Sequence, residues 1–244
     1  MKIIGMIPVR MESSRLPKKA IKDICGLPMI IHTMKRTMMA KTLDEVFVVT
    51  DSNEIKNLVE QYGGKVIMTA SHHQTGTDRL AEAAQKIDAD IIVNVQGDEA
   101  LVNPKHIEDG VKGLINSDSQ VSILLTKFRK KNSSGDIKAV VNLKNEIMYF
   151  SRNDIPSDSR VKFENMIKAY HVVSFRKDFL IKYTQLSQTP LEKIEYNEYL
   201  RILEHGYKIQ GIMVDSDAIS VDTPEDLEYV RAKMVNDSIY LEYK

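Results

Sequence analysis

Asp90–Glu99 reads DIIVNVQGDE. A short, nearly unbroken apolar run stops abruptly at Gln96, Gly97, Asp98 and Glu99. Such a run, bounded by a turn residue, is a strand covered on both faces. Three similar runs precede it: Lys2–Val9, Glu45–Asp51 and Lys65–Ala70. Between them the apolar spacing changes to that of helices. In Met29–Lys41, Ile30, Met34 and Met38 fall four apart. Ile55, Leu58, Val59 and Tyr62 make one stripe, with Ser52 placed to cap it and Gly63-Gly64 to end it. Leu80, Ala83, Ala84 and Ile87 make another, with Thr77 as the expected cap. Asn103-Pro104 opens a fourth helix with Ile107, Val111 and Leu114 inward; proline suits a first helical position because no donor is lost there. Strands alternating with helices predict a mostly parallel sheet, whose ligand crevice lies at the carboxyl ends of its strands.

The second half has another rhythm. Gln120–Lys127, Lys138–Arg152 (broken by a turn at Leu143–Glu146) and Lys168–Arg176 read as strands, and Leu191–His205 as one helix. Lys208–Asp215 and Ile219–Val221 read as extended. Thr223-Pro224-Glu225-Asp226 starts a helix with a Thr cap, Pro at the first position and an acid at the third. No Gly/Ser linker separates the halves. The expectation is one α/β domain over 1–244, with a β-rich insertion at about 127–176. The basic stretch Lys127–Lys138 (KFRKKNSSGDIK) reads as a solvated loop. The tail, Asn236–Lys244, alternates apolar residues and fits an added edge strand or a disordered end.

Composition narrows the function. In 244 residues, 34 basic and 34 acidic side chains cancel, so no global field attracts nucleic acid or an anionic membrane. Hydrophobic content of 43% and charged content of 28% are those of a soluble globular chain. One cysteine, Cys25, excludes a disulfide framework and a multi-cysteine zinc site; it reads as a packing residue. The opening MKIIGMIPVR has too short an apolar run for a signal peptide. No stretch approaches the ~18–20 apolar residues of a membrane helix. A cytoplasmic protein is expected. The chain holds no G-x-G-x-x-G, no phosphate-loop G-x-x-x-x-G-K-[ST] and no G-x-S-x-G. His72-His73 lacks the spacing of a metal motif and reads as a polar loop. His32, His106 and His205 read as surface or packing residues.

Two strand exits carry chemistry. After the first strand, IPVRMESSRLPKK (7–19) brings Arg10, Arg15, Lys18 and Lys19 together with Ser13 and Ser14. Arginine matches phosphate oxygens bidentately and lysine adds a point charge, so this loop suits a triphosphate. After Val95, a carboxylate at Asp98 beside such a loop suits Mg²⁺, which takes one or two carboxylates and completes its shell with phosphate oxygens and water. Asp222, again between an extended run and a helix start, supplies a second carboxylate if the fold brings it near.

These segments together resemble the 3-deoxy-manno-octulosonate (Kdo) cytidylyltransferase family of sugar-acid cytidylyltransferases. The matching stretches are IPVRMESSRLPKKAI (7–21), GLPMI (26–30), VVTD (48–51), TGTDRLAEA (75–83), VNVQGDE (93–99), YFSRNDIP (149–156), PLEKIE with NEYLR (190–201) and VDTPEDLE (221–228). The resemblance implies a three-layer α/β/α, Rossmann-like nucleotidyltransferase fold and a homodimer formed through the β-rich insertion. It implies a Mg²⁺-assisted reaction of CTP with Kdo that gives CMP-Kdo and pyrophosphate. By position, Arg10, Arg15 and Lys19 are implied triphosphate ligands, and Thr75 and Arg79 face the cytosine end. Asp98 and Asp222 are implied metal ligands, catalytic together with Arg15 and Lys19. Gln96, Arg152 and Glu198 match sugar-acid positions. The family carries a His and a Tyr where this chain has Ala169 and Val173; His171, two positions from Ala169, is expected on the same strand face and is a candidate substitute. The same chemistry on another acceptor (an amino-Kdo, another ulosonic acid or a hydroxy-phosphonate) and a non-catalytic nucleotide-binding dimer are the alternatives.

Overall fold

Ile3–Pro8 (β1) is buried at every position, which is what its unbroken apolar sequence requires of a central strand. The computed structural model describes residues 1–13, 15–73, 75–216 and 219–244, the side chain of His171 excepted. The chain divides into two units: Met1–Glu108 with Asp217–Lys244, and Asp109–Ser216. The expected insertion, 127–176, falls inside the second unit. Among the described residues no helix is long and apolar enough to cross a membrane.

From β1 the chain runs through a short 3-10 turn, Lys19–Ile21, to a small hairpin of Asp23–Ile24 (β2) and Leu27–Pro28 (β3). Cys25 and Gly26 form its two-residue turn, both at positive φ (51° and 95°), as such hairpins require. Cys25 packs half-buried against the cluster of Val221, Leu227 and Val230, in agreement with a packing role. Next come Met29–Met38 (α1), Glu45–Thr50 (β4), Asn53–Gln61 (α2), Lys65–Met68 (β5), Gly76–Gln85 (α3) and Ile91–Val95 (β6). Pro104–Ile115 (α4) follows, and the division between the units falls within it. β1 pairs in parallel with β4 on one side and β6 on the other, and β4 pairs in parallel with β5. This gives the order β6-β1-β4-β5, with α1, α2 and α3 packed on it.

Ser52 caps α2 as expected, its hydroxyl accepting from the N–H of Ile55 at 3.3 Å. The cap of α3 is Thr75 and not Thr77. Thr75 lies three residues before Asp78, so the two exchange side chain-to-backbone bonds in a reciprocal box. Thr77, followed three residues on by Leu80, lies buried in the first turn.

The second unit contains Val121–Phe128 (β7), Lys138–Val141 (β8), Ile147–Ser151 (β9), Met166–Arg176 (β10), Lys177–Tyr183 (α5), Pro190–Glu195 (α6), Tyr199–Glu204 (α7) and Ile209–Met213 (β11). Its sheet is mixed: β7 pairs antiparallel with β10 and parallel with β11, and β8 pairs antiparallel with β10 and β9. The single helix expected over Leu191–His205 is two. Tyr196 adopts the left-handed conformation (φ 49°) that ends α6, and Asn197 restarts the chain by accepting from the N–H of Tyr199 at 3.1 Å. The basic stretch is not uniformly solvated, because Lys138 is wholly buried in β8. β10 has an irregularity between Tyr170 and Val173, which breaks the alternation used to place His171 beside Ala169. The side chain of His171 lies outside the described residues.

The chain returns to the first unit with Pro224–Met234 (α8) and Ser238–Leu241 (α9). Thr223 and Asp226 make the predicted cap of α8. The tail is neither a strand nor a disordered end. Asp237 caps α9 by accepting from the N–H of Tyr240 at 2.8 Å, and its carboxylate also pairs with buried Arg36.

Candidate active site

The exits of β1 and β6 meet at a cavity of about 300 Å³ that lies wholly within the first unit. Gly97 permits the meeting. A Cβ there would lie 3.1 Å from the carbonyl oxygen of Pro8 and 3.3 Å from Cβ of Val9. Thr33, from α1, donates its hydroxyl to the carbonyl of Gly97 at 3.2 Å and holds the turn from behind. One residue on, the carbonyl of Asp98 accepts from the N–H of Val221 at 3.1 Å, which brings Asp222 alongside.

Lys19 joins the two carboxylates. Its ammonium donates to Asp98 Oδ2 at 2.7 Å and to Asp222 Oδ1 at 3.0 Å. Burial works against this ammonium, but the two carboxylates outweigh it and hold its pKa above the ordinary lysine value. Arg15 reaches the same Asp222 oxygen at 3.0 Å while 64% of its side chain stays exposed. Arg10 lines the same cavity and is exposed. Arg10, Arg15 and Lys19 and both carboxylates therefore line one cavity, and Lys18 is not among its lining residues. Ser14 lies outside the described residues.

Thr75, Arg79 and Gln96 line the cavity too. The hydroxyl of Thr75 is committed to its cap. Arg79 is nearly buried, donating to Thr69 Oγ1 at 2.7 Å and pairing with Asp51 at 3.3 Å. Its guanidinium thus fixes the exits of β4 and β5 to α3. Gln96 donates to Asn94 Oδ1 at 3.3 Å.

Sequence reasoning missed His73, Glu12 and Met29 as lining residues. His73 lies in a polar loop, as its sequence suggests, and its Nε2 lies 2.5 Å from Glu82 Oε2, on α3. Burial pushes the Glu82 carboxyl up, but bonds from Lys86, His73 and the N–H of Ala70 outweigh it and bring its pKa down to about 2. The one available signal was Glu82 on α3, nine residues beyond His73, a spacing no local motif uses.

Arg152 and Glu198 belong to the second unit. Arg152 follows β9 and is half-buried. Glu198 leads into α7, and the hydroxyl of Tyr183 donates to its carbonyl at 3.0 Å. Ala169 and Val173 are buried in β10.

Among the described residues no group of three or more His, Cys, Asp or Glu side chains is arranged to hold a metal. Asp98 and Asp222 nevertheless converge on one cationic atom, the ammonium of Lys19. Two carboxylates so placed fit a divalent ion that takes its remaining oxygens from phosphates and water.

A cationic loop faces a pair of carboxylates at the strand exits of a parallel sheet, an arrangement whose charges suit a phosphate-bearing ligand and a divalent ion. The chain belongs to the cytidylyltransferase family, whose model matches residues 4–209. Among curated proteins it is 39% identical, over 96% of this chain and 98% of the relative, to a 3-deoxy-manno-octulosonate cytidylyltransferase of Geobacter metallireducens. It is 36% identical, over 97% of each chain, to one from Escherichia coli. Among solved structures it superposes with a TM-score of 0.93, at 36% identity and over 96% of this chain and 99% of the other, on CMP:2-keto-3-deoxy-manno-octonic acid synthetase complexed with CTP. A 4-diphosphocytidyl-2C-methyl-D-erythritol synthase from Anaerococcus prevotii, 15% identical with a TM-score of 0.66, shares the fold.

Proposed function

We propose that this enzyme transfers the cytidylyl group of CTP to Kdo, giving CMP-Kdo and pyrophosphate, an activation step in lipopolysaccharide biosynthesis. The convergence of Asp98 and Asp222 on Lys19, beside Arg15, carries the mechanism. Full-length relatives of that activity support the acceptor. Arg10, Arg15 and Lys19 take the triphosphate oxygens, and Thr75 and Arg79 wall the cytosine end. When the triphosphate enters, its charge competes with Asp222 for Arg15 and with both carboxylates for Lys19. The anomeric hydroxyl oxygen of the sugar acid attacks the α-phosphorus, and the bond to pyrophosphate breaks. Positioning and charge neutralisation do most of such work, and no covalent nucleophile is needed. Asp98 and Asp222 would hold Mg²⁺, which supplies charge neutralisation at the α-phosphate and eases ionisation of a nearby hydroxyl. Gln96, Arg152, Glu198 and His171 are the proposed acceptor-binding residues.

Exposed apolar side chains on the second unit, Met148, Ile194 and Tyr196 among them, support a homodimer formed through this unit. A nucleoside triphosphate substrate and a single cysteine support a cytoplasmic setting.

The direct test is pyrophosphate release by purified protein with CTP and Mg²⁺, with Kdo added or omitted. Kdo-dependent release is expected. Mg²⁺-dependent CTP binding without release on Kdo would move the acceptor to another acid. Sedimentation of the same sample as a monomer would remove the dimer.

A further inference from the structure

Arg152 has both of its backbone polar groups held by charged side chains. Its N–H donates to Glu195 Oε2 at 2.8 Å, and its carbonyl accepts from the ammonium of Lys138. The guanidinium is held as well. Nε donates to the carbonyl of Glu195 at 2.8 Å, Nη1 to that of Ser134 at 2.8 Å and Nη2 to that of Tyr196 at 3.0 Å. Of the five N–H groups of an arginine, these bonds use three, which leaves one on each Nη for a ligand.

Lys138 has 0% side-chain exposure. Besides Arg152, its ammonium donates to the carbonyls of Ser133 at 2.6 Å and Asp136 at 3.0 Å. Three donors meet three carbonyls, so this lysine has no hydrogen left for a substrate and no lone pair for catalysis. Its nearest carboxylate, Asp154, stands off at 3.8 Å. Burial accordingly pulls the Lys138 pKa below the ordinary lysine value. A charge so placed is a poor stabiliser, since an apolar side chain of similar volume avoids its desolvation cost. Glu195 is used in a similar way, with Ser151 donating to Oε1 at 2.7 Å while Oε2 takes the Arg152 N–H.

We propose that Lys138 and Glu195 are positioning residues for the acceptor step, acting through Arg152. They fix the peptide groups on either side of it, so that its two remaining N–H groups meet the acid function of the sugar at a set place. Functional side chains held to within ~0.5 Å need such supporting contacts. This inference rests on the reading of Arg152 as an acceptor ligand.

Steady-state kinetics with Mg²⁺, CTP and Kdo test it on Arg152→Ala, Lys138→Met, Glu195→Gln and the double variant of Arg152→Ala with Lys138→Met. Lys138→Met is expected to raise the KM for Kdo about tenfold while the KM for CTP changes less than about twofold. In the Arg152→Ala background the same substitution is expected to add less than about twofold, because the effect travels through a side chain already removed. If Arg152→Ala alone leaves the Kdo KM unchanged, the acceptor role of Arg152 falls and the inference with it. If Arg152→Ala raises that KM while Lys138→Met leaves it alone, or if the two effects multiply, the inference falls and Arg152 keeps its role. Should Lys138→Met fail to fold, Glu195→Gln decides: a raised Kdo KM with unchanged CTP KM supports the clamp, and an unchanged Kdo KM overturns it.

Discussion

The phenol oxygen of Tyr243 lies 2.8 Å from Nδ1 of His32. The proton order of this contact is determined by its neighbours. His32 Nε2 faces the carbonyl of Ile24 at 2.7 Å and must donate to it. Arg36 Nε donates to the Tyr243 oxygen at 3.0 Å. In the neutral ring, which carries its proton on Nε2, Nδ1 has a lone pair and accepts from the tyrosine hydroxyl. Burial pushes the His32 pKa down; Arg36 adds to this, while the Ile24 carbonyl, Asp23 and Asp237 act the other way and do not overcome it.

Stability should consequently depend on pH through this ring. With a folded pKa below that of the unfolded chain, the neutral ring's contribution is full above ~6.5 and is lost as the pH falls below it. Denaturant titrations at pH 7.5 and 5.5 should show this loss, and His32→Gln should reduce it. Tyr243→Phe should cost about 1 kcal/mol at pH 7.5, since it leaves Nδ1 without its donor.

Asp98→Asn should lower turnover on the order of a hundredfold or more, because it removes one of the two carboxylates proposed to hold the divalent ion. The volume is kept, so thermal melting should stay cooperative. Near-normal pyrophosphate release would remove Asp98 from the mechanism.

Arg15→Ala should raise the CTP requirement about tenfold, the worth of one hydrogen bond to a charged group. With 64% of its side chain exposed, Arg15 contributes little packing, so the melting temperature should hold. An unchanged KM for CTP would take the first loop out of triphosphate binding.

Gly97→Ala should reduce kcat while leaving the fold in place. The added methyl would meet the backbone of Pro8 at 3.1 Å and push the turn that carries Asp98. Restored activity in a variant with Val9 also shortened to Ala would leave the Pro8 carbonyl contact without consequence and refute this account.

Where spacing carries the information, the sequence reveals the structure. The apolar run of Asp90–Val95 predicts β6, and the stripe of Ile55, Leu58, Val59 and Tyr62 predicts α2. The cations of the first loop and Asp98 are visible because each follows a predicted strand directly. Other features depend on partners far along the chain. His73 becomes a cavity residue through Glu82, and Lys138 becomes a buried clamp through Arg152. The break at Tyr196 depends on a left-handed backbone angle in a residue without the usual glycine signal. The tail's alternating apolar residues suggest a strand, yet contacts to Arg36 and His32 on α1 decide for a short helix.

Asp222 lies beyond the whole of the second unit in the chain, whereas its partners Lys19 and Asp98 lie before it. On the ribosome, Asp109–Ser216 is thus an unbroken stretch that emerges before the last member of the Lys19 cluster exists. At ~5–20 residues per second, the first hundred residues wait several seconds or more for their missing carboxylate. During translation the emerging chain holds Asp98 and the cationic loop without the acid that pairs with Arg15, and this charge cluster closes only after Asp222 has cleared the exit tunnel.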